Sequence, residues 1–565
     1  MNGISEGYLD NKATTKWIVA TVTLLSIWAG FYYPGMIALF ATYCTLSIAI
    51  IYATITNRPK SYFIFFLFSF LTLGCWAKIT LHLLIGNNFI EPIGGFDESP
   101  TAWDNAIAVL ITAFSALLIC YFIVVAGLKK RKELETNINT KLLSTLLTMA
   151  IIFTIASLIF NYYYSIIKVG YEPTLKLHSY IYVILSFMIA WGNSIALFTL
   201  AYWLVKNGKL TPNMLFYIVI IEGALTSISM GSRAQMILHV SVPFIAYLIQ
   251  GKKLEWNISK IGWIKIFSTT ALLFAFSIIS VSVDRLSSFA KAVPYTEKTI
   301  VTGSLEKSGS NSTSVTENLE KPGSSSTSAT GNLEKPESNS TPATGSLEKP
   351  GSNSTSATGN LEESGSNSTS LELSEKALTH DVTPEPPVAP YQLSPELKFK
   401  QIANELSKLI VDRWIGAEGV LAVTSENHLD LDLFMRGLRE DPAQGTQAIY
   451  QRISNAQYER LENFTFMTIP GPIAVLYYSG NYLVLFAGMA LLFFLGYSIE
   501  LAAKRLLSNV MTSATIGVAM AYLIVQINFP RAFLFFVIEI TAFLIGLIVL
   551  RWILNKQKQP INFLH

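Results

Sequence analysis

The chain has 565 residues, of which 51% are hydrophobic and 14% charged, against roughly 25% charged in an ordinary soluble domain. That imbalance makes lipid the solvent for most of the chain and excludes an ordinary soluble globular protein. The formal net charge of +3, with basic residues clustered by position rather than gathered into a patch, excludes a nucleic-acid partner.

In chain order, apolar runs predict helices over about 17–33, 35–55, 61–84, 105–128, 142–162, 179–205, 212–230, 235–250, 261–284, 473–499, 511–529 and 532–551. Most approach the ~20 residues that cross a bilayer. The expected fold class is therefore an all-α polytopic membrane protein with about twelve transmembrane helices. The first run follows Lys12 and Lys16 and ends in FYYPG, without the small-residue cleavage pattern of a secretory signal, so it reads as a retained helix. Cys44, Cys75 and Cys120 fall inside spans, which argues against a disulfide framework.

Alternate loops carry the basic residues: TNRPK, LKKRKELETNINTK, VKNGKL, IQGKKLEWNISK and LAAKRL. The intervening short loops, YYPG, GNNFIEPIGGFDESPTAWD, YYSIIKVGYEPTLKLH, MGSRAQ and INFPRA, are poor in Lys and Arg. Positive residues mark the cytoplasmic side, so both termini are expected there. The same count places one large loop outside, from about Asp284 to Pro470, between the ninth and tenth helices. The chain divides into 1–284 (helices one to nine), 285–392 (low complexity), 393–470 (an outer helical subdomain) and 471–565 (helices ten to twelve and a tail).

The low-complexity part is a tandem repeat with a period of about 14 residues, from GSLEKSGSNSTSVT through ENLEKPGSSSTSAT to a truncated GNLEESGSNSTS. One Leu per unit among many Ser, Thr, Asn and Gly cannot bury enough surface to offset ordering entropy, so 300–390 is expected to be disordered and without chemistry. The stretch after it differs. Ser394 and Pro395 read as a helix start, with Leu397, Ile402, Leu406, Leu409 and Ile410 approximating an apolar stripe.

No HExxH, paired CxxC, P-loop or dinucleotide fingerprint is present, and six histidines are scattered, so neither metal nor cofactor is expected. Asp430-Leu431-Asp432 has the DxD form of some metal-dependent glycosyltransferases and equally that of an acidic turn. The outward charges say more as a set: Arg233 in GSRAQ, Asp284-Arg285, Asp412-Arg413, Glu418 and Arg531. Arginine forks match phosphate oxygens, so such a set suits an anionic lipid-linked substrate, whereas separately each arginine could snorkel to headgroups. Glu222 and Glu539 sit well inside predicted spans, where ionisable groups are costly and either functional or hydrogen-bonded between helices. Glu222 and Arg233, eleven residues apart, would share a face if the helix continued through Gly231. Lys78 and His82, one turn apart near the outer end of the third helix, read first as a snorkelling lysine and its neighbour.

The spans, the large late loop, GSRAQ, DRWIGAEGVLAV and PGPIAVLYYSGNYLVLFAGM together resemble the bacterial O-antigen polymerases of the Wzy type and their exopolysaccharide-polymerase relatives. The resemblance covers the architecture of nearly the whole chain except the repeat. It implies polymerisation on the periplasmic face of the inner membrane, in which a glycan on undecaprenyl pyrophosphate is transferred to a sugar hydroxyl of a new lipid-linked repeat unit. Its partners would be undecaprenyl-pyrophosphate-linked oligosaccharide, membrane lipid and a separate chain-length regulator protein. Within that frame Arg233, Arg285 and Arg413 are the expected pyrophosphate or glycan ligands, and Glu418, then Asp412, the expected general base. Tyr478, with Tyr477, would stack on sugar rings or simply belong to the interfacial aromatic belt.

Three other functions compete. The O-antigen ligase shares the donor. A polyprenyl-sugar glycosyltransferase would use acids of the second outer loop, Glu91, Asp97, Glu98 and Asp104. A secondary transporter or flippase would show related halves, against the nine-and-three division of spans here.

Overall fold

The computed structural model describes residues 12–86, 89, 91–127, 139–171, 173–250, 254, 256–292, 414–441, 447–456 and 467–556. They form helices and no strand. The main helices are α1 Lys12–Gly30, α2 Ile37–Thr56, α3 Tyr62–Ile85, α4 Pro100–Ala126, α5 Thr140–Tyr164, α6 Tyr180–Lys206, α7 Pro212–Met230, α8 Arg233–Gln250 and α9 Lys260–Ala292. After the large loop come α10 Ala417–Thr424, α11 Leu431–Arg439, α12 Ile449–Ile453, α13 Gly471–Tyr477, α14 Tyr482–Leu507, α15 Val510–Val525 and α16 Pro530–Lys556. Among the described residues nine helices are long and apolar enough to cross a membrane: α2, α3, α4, α5, α6, α7, α9, α14 and α16. The chain is thus an all-helical, multi-pass membrane protein.

Helix ends follow local chemistry. Ser61 caps α3 by accepting from the Ile64 N–H at 3.2 Å, and Ser99, followed by Pro100, caps α4 through Ala102 N–H. α7 opens on Thr211 and Pro212 and closes on Gly231, whose φ of +62° is the left-handed conformation that ends a helix. Gly231 therefore stops α7, and Arg233 starts a new helix instead of extending the face of Glu222. The expected tenth span is likewise corrected. It does not begin at residue 473; a short helix, α13, ends at Tyr477, the chain turns through Gly480 (φ +62°), and Asn481 caps α14.

α15, only 16 residues long, is the centre of the bundle: Met511 to Ala521 are all buried, against α3, α6, α8 and α14. Its small residues permit this. A Cβ on Gly517 would lie 2.7 Å from the backbone nitrogen of Phe63. Lipid-facing helices show the converse, with Leu272, Phe276, Ile279 and Val283 of α9 exposed.

Because successive helices alternate, one end of the bundle, here the upper end, gathers Tyr33, Ile85, Pro100, Lys168, Arg233, Asp284 and Tyr482, and receives α10 to α13. Asp104 ties it together by accepting from Tyr33 Oη at 2.9 Å and Met36 N–H at 2.8 Å. The lower end is fixed by Glu500 of α14. Its carboxylate accepts from the Tyr62 and Phe63 N–H groups, each at 2.9 Å, and from the Ser61 hydroxyl, so an acid from another helix satisfies the open donors at the start of α3.

Two helices contain a π turn, Thr72–Ala77 in α3 and Met188–Gly192 in α6. Such bulges recur at functional sites. Each leads directly into a buried polar cluster, at Lys78 and at Ser194.

Candidate active site

Trp414, Ile415 and Gly416 bring the end of the large loop down onto the π turn of α3. A Cβ on Gly74 would fall 2.1 Å from the carbonyl oxygen of Ile415, and one on Gly416 would fall 2.8 Å from Cys75 Sγ. Neither backbone could come so close with a side chain in the way. Trp414 meets Phe70 with ring centroids 5.7 Å apart. This contact delivers α10, buried from Ala417 to Val423, into the upper end of the bundle.

The consequence is an ion pair between Lys78 and Glu418, in which each residue is 4% exposed. Lys78 does not snorkel; its ammonium donates to Glu418 Oε1. Tyr450 of α12 lies within the electrostatic reach of Glu418 and Glu91, and its hydroxyl is buried without a hydrogen-bond partner among the described residues. Burial first, and then the charges of Glu418 and Glu91, raise the Tyr450 pKa and hold the phenol protonated. The loop bearing Glu91 is pinned to the same subdomain by Gly94, which donates to Ser454 O at 3.1 Å.

One turn beyond Lys78, His82 stacks on Phe89 at 4.4 Å and stands 3.7 Å from the Glu98 carboxylate. His82, Glu98, Tyr32, Pro34, Leu83 and Trp103 line an open cleft of about 330 Å³. A histidine, an acid and two aromatic rings around an open space suit a sugar, whose hydroxyls need hydrogen bonds and whose C–H faces stack on rings.

A second charged cluster occupies the same end, around α7 to α9. Lys168 pairs with Asp284 at 2.7 Å and lies over the rings of Tyr171 and Tyr162, at 4.5 Å and 5.3 Å. Gly231 leaves room for its stem, since a Cβ there would touch Lys168 Cγ at 3.5 Å. Arg233 Nη2 donates to Ser282 Oγ at 2.8 Å, two residues before Asp284.

The expected site residues divide accordingly. Glu418 and Arg233 stand at the upper end in separate clusters. Arg285 continues α9, but its side chain lies outside the described residues, as do Asp412 and Arg413 entirely. The expected disorder of 300–390 and the helix opened by Ser394 also fall outside the described residues. Tyr478 is corrected: it is 2% exposed, with its ring against Gly437, so it packs the subdomain core and belongs neither to a stacking surface nor to an interfacial belt. Asp430 caps α11 by accepting from Leu433 N–H at 2.6 Å, while Asp432 pairs with Arg436 in solvent, which accounts for the DxD triplet. Asp104 and Asp97 hold turns, Asp97 accepting from the Ser99 N–H at 3.0 Å, which lowers its pKa.

Sequence reasoning missed Tyr450, Lys168 and His239 and misjudged Lys78. Lys78 and His239 carried a usable signal, each an ionisable residue inside an expected span. Comparison of the chain with family models, with curated proteins and with solved structures found no match.

Proposed function

We propose that the chain is a polymerase that joins undecaprenyl-pyrophosphate-linked oligosaccharide units into O-antigen or exopolysaccharide on the periplasmic face of the bacterial inner membrane. In this reading twelve helices cross the membrane, α1, α8 and α15 joining the nine named above, with both termini cytoplasmic and the upper end periplasmic. The observation that carries it is the Lys78–Glu418 pair, set one turn from a cleft lined by His82, Glu98, Trp103 and Tyr32.

The chemistry follows from the groups. The acceptor sugar's hydroxyl oxygen attacks the anomeric carbon of the donor, the bond from that carbon to the pyrophosphate oxygen breaks, and the leaving group departs with the electron pair. The hydroxyl proton passes to a carboxylate, for which Glu418 is our choice, released by Lys78 as that ammonium turns to the developing phosphate charge. Tyr450 would donate a hydrogen bond to the substrate. Both substrates carry a lipid diphosphate, and two cation-bearing clusters at one end, Lys78 and Lys168 with Arg233, support a place for each.

The test is deletion of the gene and complementation with wild type, Glu418→Gln or Arg233→Ala, reading the surface polysaccharide on a gel. A single repeat unit on its carrier in the deletion strain and in both variants, at normal membrane levels, is the expected result. A normal ladder with Glu418→Gln overturns the assignment of the base, polymer built but left unattached on deletion indicates a ligase, and an untouched ladder on deletion overturns the reading altogether.

A further inference from the structure

The π turn of α6 leads into a cluster that the glycan-transfer reading leaves unused. Glu222 of α7 is 3% exposed and His239 of α8 is fully buried. His239 Nδ1 lies 2.9 Å from Glu222 Oε2 and 3.2 Å from Ser194 Oγ. The Ser194 hydroxyl donates to Glu222 Oε1 at 2.7 Å, and the Thr226 hydroxyl to the same oxygen at 3.0 Å.

Taken as a carboxylate, Glu222 only accepts, and the proton between it and His239 then sits on Nδ1. That tautomer leaves the Nε2 lone pair free, and Nε2 is buried without a hydrogen-bond partner among the described residues. In this state the cluster holds one negative charge faced only by hydroxyls and a neutral ring. Among the described residues the neighbouring helices supply no cation to it. Lys168 is taken by Asp284 of α9, Arg233 at the head of α8 donates to Ser282, and Tyr522 of α15 meets the ring of Trp191 at 6.1 Å. On α5, Tyr162 lies under Lys168. A buried charge with no counter-ion is neutralised by the smallest cation that can reach it. The receiving face is already built, because Trp191, in the π turn itself, stands 5.2 Å from the imidazole, and an indole ring attracts an imidazolium.

We infer that Ser194, Glu222 and His239 form a proton-binding site inside the bundle, which takes up and releases one proton at His239 Nε2. On uptake an N–H bond forms on the Nε2 lone pair and the cluster passes from one negative charge to neutral; no other bond changes. The site is independent of glycan transfer and is read without it.

The experiment is tryptophan fluorescence of the purified full chain in lipid nanodiscs, titrated from alkaline to acidic pH. An imidazolium quenches an adjacent indole and a neutral imidazole does not, so the Trp191 signal, obtained as wild type minus Trp191→Phe, should fall on acidification. His82 and Trp103, 5.7 Å apart, provide a second pair whose response must survive as an internal control. His239→Gln should abolish the Trp191 component, and Glu222→Gln, which removes the carboxylate that faces Nδ1, should displace it along the pH scale. A Trp191 component that is flat with pH in the wild type, or unchanged by His239→Gln in monodisperse protein, overturns the inference. Should His239→Gln fail to fold, the wild-type difference and the Glu222→Gln displacement decide it.

Discussion

Lys78 and Glu418 stand 340 residues apart in sequence and share one ion pair buried in the upper end of the bundle. Breaking such a pair by removing one partner costs about 3–5 kcal/mol, because it strands a charge, whereas replacing both is far milder. Lys78→Met should therefore lower thermal stability in detergent strongly, and Lys78→Met with Glu418→Gln should recover most of the loss. Polymer formation separates structure from chemistry. If the carboxylate serves as base, the recovered double variant still makes no polymer, and a restored ladder would reduce the pair to a structural tie.

Gly74 is the hinge of that arrangement, since its missing side chain lets the Ile415 carbonyl sit against α3. Gly74→Ala should displace Trp414 to Glu418, at a cost of about 1–3 kcal/mol or more from overpacking. Cys75, fully buried beside Gly416, reports the event. In a chain with Cys44 and Cys120 replaced by serine, a maleimide should label Cys75 slowly in the parent and several-fold faster in Gly74→Ala. Equal rates would show that the segment holds its place without the glycine.

Glu500 predicts a purely structural loss at the other end. It accepts from two backbone N–H groups and the Ser61 hydroxyl, and hydrogen bonds to a charged group contribute about 1.5–3 kcal/mol each. Glu500→Ala should lower the unfolding temperature more than Ser513→Ala, whose hydroxyl reaches the same carboxylate at a longer 3.2 Å. A Glu500→Ala protein as stable as Ser513→Ala would contradict the capping role.

Glu440 gives a pH dependence outside the membrane. Burial pushes its carboxyl above the ordinary 4.5, against the opposing effects of the Ile449 N–H that it accepts at 2.6 Å and of Arg452. A carboxyl whose folded pKa is raised binds its proton more tightly folded than unfolded. Its contribution to stability is complete below the unfolded value and is lost as pH rises through the folded one. The melting temperature of the wild type relative to Glu440→Gln should thus fall as pH rises from about 4.5, the ordinary carboxyl value. A difference that stays constant with pH would remove Glu440 as the source.

Much of the fold was legible because lipid imposes one rule, continuous apolar helix, and every run expected as a span is helical in its greater part. The exception near Tyr478 has a physical reason. PGPIAVLYYSGNYLVLF is apolar almost throughout, so hydropathy ran two helices together, although the Ser-Gly-Asn that turns and caps the chain was present to be read. The site was less legible. Glu418 and Arg233 drew attention as charges beside glycines, yet their partners come from distant parts of the chain. Nothing local to Lys78 names Glu418, and nothing in SMGSRAQMILH shows that its last residue, His239, turns to Glu222 while its arginine turns to Ser282. Tyr478 was misjudged because an aromatic near a membrane boundary looks the same in sequence whether it faces lipid or Gly437.

The seating of Ile415 against Gly74 also bears on how this chain can vary over generations. The repeat lies in sequence between the end of α9 and Trp414, so the contact of Ile415 with Gly74 is made by residues outside it. A change in the number of these units of about 14 residues therefore leaves Gly74, Ile415, Lys78 and Glu418 themselves unaltered. Copy number can thus change without touching any residue that positions Glu418.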